Sequence, residues 1–447
     1  MKKIRVKNTY DLRLTGVPSR TIRESSLGKT LSVLPTSISL IKPKLSVKEG
    51  ASVKTGTPLF YDKRDENIKF LSPGTGTVKE IVYGPRRCVD EVIIELSGKE
   101  SFEPFKKIST AGLKKLKQED VASAIQEGGL WGVFTEHPFR SIPRSTTVAP
   151  AIYVTVDNDE PFLPQSAVYL KDREEDFKFG LAILEALSDK VYVGVSSQNE
   201  NIKTALGASV THELEGHYPA NNASVFLYYN KESESENKSW SIKGQDVLRL
   251  AELFKEGKYP VQRLIVVAGD HAKKPSHVLA REGMSVADLA GKAPNEPTRY
   301  IAGGVLTGRQ ITEKGILGFN DYAIHLIREG KETDMLTFFK PGFDKPTFGR
   351  TYMSSLFNSS LFKMNTSLNG GYRACVSCGE CPKACPTELL PQLLMKELKA
   401  NDTEEALDQG FLDCAGCGLC TYVCPSKIDL DTVFDDAREK LYWEVEK

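Results

Sequence analysis

The chain has no excess of charge. Its 59 lysines and arginines balance 59 aspartates and glutamates over 447 residues. A neutral chain offers no global field to gather nucleic acid or an anionic membrane. Long apolar runs are missing too. Stretches such as Leu264 to Ala268 are the longest, far short of the roughly 20 residues of a membrane span. From Met1 to Gly16, charged and apolar residues alternate without a signal-peptide core. Any membrane role is therefore expected to come through partner subunits. Eight of nine cysteines lie in one C-terminal stretch, and only Cys88 lies elsewhere. That distribution excludes a disulfide framework and suits a reducing cytosol.

The stretch from Tyr372 to Pro425 carries the chemistry. Cys375, Cys378, Cys381 and Cys385 form one C-x2-C-x2-C-x3-C run, and Cys414, Cys417, Cys420 and Cys424 form another. Each run ends in proline, Pro386 and Pro425. This thiolate spacing binds cubane iron–sulfur clusters, with the fourth cysteine of each run serving the other cluster. It predicts one [4Fe–4S] cluster on Cys375, Cys378, Cys381 and Cys424, and a second on Cys414, Cys417, Cys420 and Cys385. Zinc is the plainer reading, but zinc sites pair two knuckles or one knuckle with histidines. No histidine lies in this stretch. Ala415, Gly416 and Gly418 leave room for backbone N–H groups to approach sulfur and tune potential.

Length predicts two to four domains. Residues 38–96 read as short strands and glycine turns, in segments from Leu45 to Leu59 and from Leu71 to Val78. These segments resemble the hairpins of biotinyl/lipoyl-type barrel-sandwich domains. The tip Asp62-Lys63-Arg64-Asp65 lacks the Met-Lys-Met of carriers, so Lys63 is expected to be a surface lysine without biotin or lipoate. In 106–257, Lys115–Glu127 is expected to be a helix stopped by Gly128 and Gly129. Strands are expected at 151–156, 190–195 and 224–229, with helices at 177–187 and 245–255. The alternation predicts a Rossmann-like α/β domain with a parallel sheet. Residues 258–344 return to strands, at 263–270 and onward through 283–289 and 299–308. They resemble the soluble-ligand-binding β-grasp module. Residues 345–447 read as helical, at 391–399, 403–409 and 430–445, which suits a helical ferredoxin-like domain. The predicted domains are thus 1–105, 106–257, 258–344 and 345–447.

Other motifs are weaker. The loop from Gly128 to Phe134 could cradle a phosphate, but it lacks G-x-G-x-x-G, and Trp131 and Phe134 would crowd the phosphate. The acidic strand end from Val156 to Pro161 reads as capping or a solvated loop. His212 and His217 are spaced five apart and do not form H-E-x-x-H. His271 and His277 are expected at the surface, Cys88 as a packed thiol, and 231–239 as a polar surface loop. Spacing defines no catalytic triad or carboxylate pair.

Taken in order, several segments resemble one family. They are Asp11 to Ser19, the 45–59 hairpin, Gly129-Leu130-Trp131, Arg140-Ser141-Ile142-Pro143, Gly216 to Ala220, Gly303 to Arg309, and Arg350-Thr351-Tyr352. The order is similar to that in the NqrA family of the sodium-translocating NADH:quinone oxidoreductase. The resemblance implies a peripheral subunit on the cytoplasmic side of the plasma membrane. It also implies docking on the other subunits (B to F), with quinone at or near an interface between them. NADH and quinone would be used by the whole complex, and this chain would not be catalytic alone. The related RnfC and complex I proteins carry a G-R-G-G-A-G-F-P flavin loop. The corresponding stretch here, Gln126 to Gly132, is degenerate, so no FMN is expected. NqrA-family proteins have mostly lost the C-terminal cysteines, whereas this chain keeps both sets, as RnfC does. The alternatives are an RnfC-type subunit of a ferredoxin:NAD oxidoreductase and a non-catalytic assembly subunit with structural clusters.

Overall fold

The computed structural model describes all residues except 158–159, 331–340, 344–352, 358–360, 364, 367–371 and 447. The Arg350-Thr351-Tyr352 segment lies outside the described residues. Two strands open the chain, β1 (Lys2–Arg5) and β2 (Ser19–Glu24). Seven follow: β3 (Thr30–Val33), β4 (Pro43–Leu45), β5 (Ser52–Val53), β6 (Pro58–Asp62), β7 (Asp65–Leu71), β8 (Gly76–Tyr83) and β9 (Val89–Leu96). They form a four-stranded sheet, β3-β9-β8-β5, and a three-stranded sheet, β4-β6-β7. Alternate residues such as Phe60, Phe70, Val78 and Ile94 are buried in one core shared by the two sheets, which gives the expected barrel-sandwich unit.

The α/β unit holds β10 (Thr135–Glu136), β11 (Ile152–Thr155), β12 (Val191–Ser196), β13 (His212–Glu215) and β14 (Trp240–Lys243). Their order is β1-β13-β12-β11-β14-β10, parallel except for β10. The opening strand β1 thus joins this sheet, not the barrel-sandwich sheets with which its place in the chain grouped it. Helices Glu174–Glu185 and Gly244–Glu256 pack on one another beside the sheet. Left-handed Gly257 stops the second helix.

One expected strand is a helix. Residues 224–229 lie in the helix Ala223–Asn230, capped by the Asn222 side chain, which accepts from the Ser224 and Val225 amides. A short apolar run does not distinguish a buried strand from a buried helix turn, and the cap decides. The strands not expected are β13 and β14, whose four-residue sequences HELE and WSIK are too short for their alternation to stand out.

The third unit contains β15 (Gln262–Ala268), β16 (Ser276–Arg281), β17 (Thr298–Ala302), β18 (Arg309–Ile311) and β19 (Ala323–Arg328). Its mixed sheet runs β18-β17-β19-β15-β16-β2, so β2 also leaves the first unit. Residues 283–289, read with the strands, make a turn and the short helix Val286–Ala290, capped by Ser285. The C-terminal unit is helical: Glu380–Ala384, Pro391–Lys399, Thr403–Asp408, Leu419–Tyr422 and Leu430–Val445. Leu394, Phe411, Leu419, Leu430 and Phe434 form its core.

Candidate metal centres

The two cysteine runs fold as a repeat. Between the first two cysteines of each run sits a left-handed residue, Ser377 (φ 53°) or Gly416 (φ 59°). After the second cysteine comes a left-handed glycine, Gly379 (φ 76°) or Gly418 (φ 70°). A one-turn helix then carries the third cysteine, Cys381 in Glu380–Ala384 and Cys420 in Leu419–Tyr422. The turns aim backbone N–H groups at sulfur. The Gly416 and Leu419 amides bond the thiols of Cys414 and Cys417. Such donors stabilise the anionic sulfur of a cluster ligand.

All nine cysteines are free thiols. Burial pushes the Cys414 thiol up to about 12, and Arg140 opposes the rise while Cys385 adds to it. Burial also raises Cys417 and Cys420, and Cys385 contributes to both. Burial pushes Cys381 up to about 12, with Cys378 and Cys424 adding to it. The fourth cysteine of each run therefore lies by the other run's thiols. Cys375 is half-buried and Cys378 is exposed, so the first group faces solvent. Among the described residues, no three Cys, His, Asp or Glu side chains gather tightly enough for a single metal ion. An all-sulfur donor set, interleaved and served by amides, suits iron–sulfur clusters, which are wider than one ion. Thiols held protonated by burial become ligands only by losing protons to solution as iron binds.

The rest of the chain braces the second group. The Tyr218 hydroxyl donates to the Cys417 carbonyl at 2.5 Å, and Arg438 to that of Cys414 at 3.2 Å. The Asn8 amide donates to the Cys385 carbonyl at 2.9 Å, and the Tyr229 hydroxyl to that of Pro386 at 2.9 Å. Arg140 pairs with Asp435 at 2.5 Å and Lys231 with Asp413 at 2.7 Å. No local pattern points to these residues, because their partners lie up to 377 positions away. Beside Cys414 opens a cavity of about 430 Å³, lined by Phe139, Leu227, Tyr228, Leu412 and Val445. A second, polar cavity of about 230 Å³ lies between the sheet and Ala415–Gly416. His137 lines both cavities, and burial holds its ring down to about 4.

The weaker motifs resolve into structural roles. Trp131 is buried, donates its indole N–H to the Pro143 carbonyl at 2.8 Å, and meets Trp240 and Phe134 edge to face. A Cβ on Gly129 would lie 2.3 Å from Leu71, so the loop is pressed onto β7. In the acidic strand end, Glu160 is not solvated: it is buried and accepts from the Leu306 amide at 2.7 Å and from the Thr307 hydroxyl. Asp157 caps the Ser196 amide at 2.7 Å. Two histidines expected outside are inside. His277 is fully buried in β16, between the Ser19 carbonyl and the Gln165 amide, and His271 is buried against Thr298. The opening segment and β17 cover them, which a local reading of polar neighbours missed. Cys88, expected to be packed, is exposed because it follows a surface turn. In the polar 231–239 loop, Glu236 is buried and pairs with Lys190 at 2.5 Å. His212 bonds Asn230 at 3.0 Å within the core, apart from His217. Lys63 is exposed in the β6–β7 turn. Its neighbour Arg64 lies 4.7 Å from the Trp443 ring and pairs with Asp62 at 2.7 Å.

Comparison with known proteins agrees with this layout. Residues 4–97 match the NqrA N-terminal barrel-sandwich hybrid domain, 116–259 the NqrA second alpha/beta domain, and 368–428 a 4Fe-4S dicluster domain. The chain is 32% identical over 398 residues to the NqrA protein of the Na(+)-translocating NADH-quinone reductase of Marinomonas sp., covering 89% of each chain. It is 32% identical over 407 residues to the Vibrio parahaemolyticus counterpart, covering 90% of this chain and 91% of that one. A solved NAD+-reducing [NiFe]-hydrogenase in the H2-reduced state overlaps 76% of this chain and 68% of its own, with 12% identity and a TM-score of 0.38. Matched along nearly all of its length to proteins of one name, the chain belongs to the NqrA family of the Na+-translocating NADH-quinone reductase.

Proposed function

We propose that this chain is the peripheral NqrA-type component of a membrane NADH:quinone reductase of the sodium-translocating type, and that it relays electrons within that complex. The observation that carries the reading is that Cys385 lies by Cys414, Cys417 and Cys420 while Cys424 lies by Cys381, all as free thiols. In this reading Cys375, Cys378, Cys381 and Cys424 hold one [4Fe–4S] cluster, and Cys414, Cys417, Cys420 and Cys385 hold the other. Bound clusters of this kind take up and release single electrons. The chain's own residues set the conditions. Amides of Gly416 and Leu419 stabilise anionic sulfur, while Leu419, Tyr422 and Phe411 exclude water.

The order β13-β12-β11-β14 supports a Rossmann-like reading of the α/β unit, with its switch point between β11 and β14. Tyr169 fills that crevice: its hydroxyl donates to the Val156 carbonyl and leaves no room for a Cβ on Gly244. With Trp131 in the other glycine loop, this supports a chain without FMN, and speaks against the RnfC-type alternative. The mixed sheet of the third unit is read as a β-grasp. The tip at Lys63, docked through Arg64, supports the absence of biotin and lipoate. Among the described residues no helix is long and apolar enough to cross a membrane. In this reading the chain meets the membrane and the partners (B to F) peripherally, on the cytoplasmic side, as the family resemblance implies. NAD(H) and quinone are handled by the whole complex. The apolar cavity beside Cys414 is of a size to admit a small ring, such as a quinone headgroup at an interface with a partner.

The test is anaerobic purification followed by metal analysis and paramagnetic resonance. About eight iron and eight sulfide per chain are expected from two cubane sites. Cys385→Ser should damage the cluster of Cys414, Cys417 and Cys420, and Cys424→Ser the other. Zinc in place of iron, or damage confined to the adjacent cluster in each variant, would sink the assignment.

A further inference from the structure

The two cysteine loops share a backbone path but not a surrounding. Ser377 and Gly416 occupy the same place in the repeat with nearly the same left-handed φ, 53° and 59°. Serine therefore meets the conformational demand in the first loop, and φ alone does not require glycine in the second. Space does. A Cβ on Gly416 would lie 1.9 Å from Arg140 Nη1 and 2.4 Å from its Cζ. The guanidinium fills the volume a side chain would take, directly over the backbone between Cys414 and Cys417.

Arg140 is held there by its own unit. Residues 137–140 form a turn closed by the paired backbones of Glu136 and Ser141, 2.7 and 3.2 Å apart. Arg140 itself adopts φ 59°, a conformation that costs free energy for a side chain of this size. Asp435 anchors its head at 2.5 Å, and Asp435 also holds Arg438 at 2.6 Å. Removing Arg140 therefore leaves Asp435 paired and takes one positive charge from the second loop. In the first group, the charges that act on Cys381 are those of the thiols Cys378 and Cys424.

We propose that Arg140, supplied by the α/β unit, is a positioning residue that raises the reduction potential of the cluster on Cys414, Cys417, Cys420 and Cys385 and leaves that of its twin nearly unchanged. The inference rests on the proposed cluster sites. Its physical basis is Coulombic: reduction adds negative charge, and a fixed cation nearby, shielded from water on one side, favours it. The near-symmetric loops make the first cluster an internal control.

The test is a potentiometric titration followed by paramagnetic resonance on the full chain, each cluster being assigned with the Cys385→Ser and Cys424→Ser variants. Arg140→Gln should keep both clusters and make the second about tenfold harder to reduce. For one electron that is about 59 mV more negative. The first cluster should move by less than a third of that. Arg140→Lys should restore at least half of the shift. Gly416→Ala keeps the charge but evicts it, and should shift the second cluster the same way. No shift, an equal shift of both clusters, or equal shifts in the glutamine and lysine variants would overturn the proposal. So would loss of the second cluster from both Arg140 variants, since that outcome makes Arg140 a brace alone. An unaltered chain without iron sinks the proposed function; clusters without the selective shift sink only this inference.

Discussion

Replacing Trp131 with alanine tests whether the flavin-type loop has become part of the core. Trp131 is 1% exposed, and its rings sit 5.4 Å from Trp240 and 5.6 Å from Phe134. Truncating a buried tryptophan costs about 3–5 kcal/mol. Two edge-to-face contacts account for about 1–3 of that, and the bond to the Pro143 carbonyl for about 1. A loss of about 4 kcal/mol is expected. With a urea slope of about 2 kcal/mol/M for a unit of this size, the midpoint should fall by about 2 M. Trp240 fluorescence follows the unfolding of this unit, and Trp443 reports separately on the C-terminal helix. Removing the indole should still not admit a flavin. A Cβ on Gly128 would lie 2.3 Å from Leu253, and one on Gly129 as close to Leu71, so the loop backbone has no free face for a phosphate. A stability loss under about 1 kcal/mol would refute the packing argument. Stoichiometric FMN in Trp131→Ala would refute the claim that the loop is closed by more than one side chain.

Four further outcomes are expected. His137 is kept neutral to about pH 4 by burial, with Arg140 adding to the effect. Unfolded, it protonates near 6.5, so its contribution is complete above 6.5 and falls by about 3 kcal/mol as pH drops to 4. His137→Gln should flatten that acid limb in urea midpoints measured from pH 4 to 7, and an unchanged slope would contradict it. Glu282 has the opposite sign: burial raises it to about 7, so its contribution is present below its ordinary value near 4.5 and is lost as pH rises through 7. Arg64→Ala removes the pair with buried Asp62, the bond to the Tyr442 hydroxyl at 2.9 Å and the stack on Trp443. It should cost about 2–3 kcal/mol and speed amide exchange in the last turns of Leu430–Val445; unaltered exchange there would show that the tip is not a clamp. Intact mass should show no carrier adduct on Lys63, and a biotinyl or lipoyl increment would reverse that reading.

Much of the chain was legible in its sequence because its signals are local. The cysteine spacing needs only the chain's own turns to gather three sulfurs, and the repeat of Gly379 and Gly418 after the second cysteines reflects how local that geometry is. The helices Pro391–Lys399 and Leu430–Val445 carry their own spacing and match expectation at both ends. The barrel-sandwich hairpins follow from alternation and glycine corners. What depends on distant partners was not legible. Residues 224–229 became a helix because Asn222 caps them and the sheet already had β13 and β14 to fill its positions. The opening strands β1 and β2 chose sheets more than 200 residues away, since edge pairing depends on which edges are free after folding. The spacing singled out the eight thiols as candidate ligands. Tertiary structure alone put Arg140 of the α/β unit against Gly416 and not against Ser377 in the twin loop, because the field around a centre is set by whatever packs across it, not by the residues beside it in the chain.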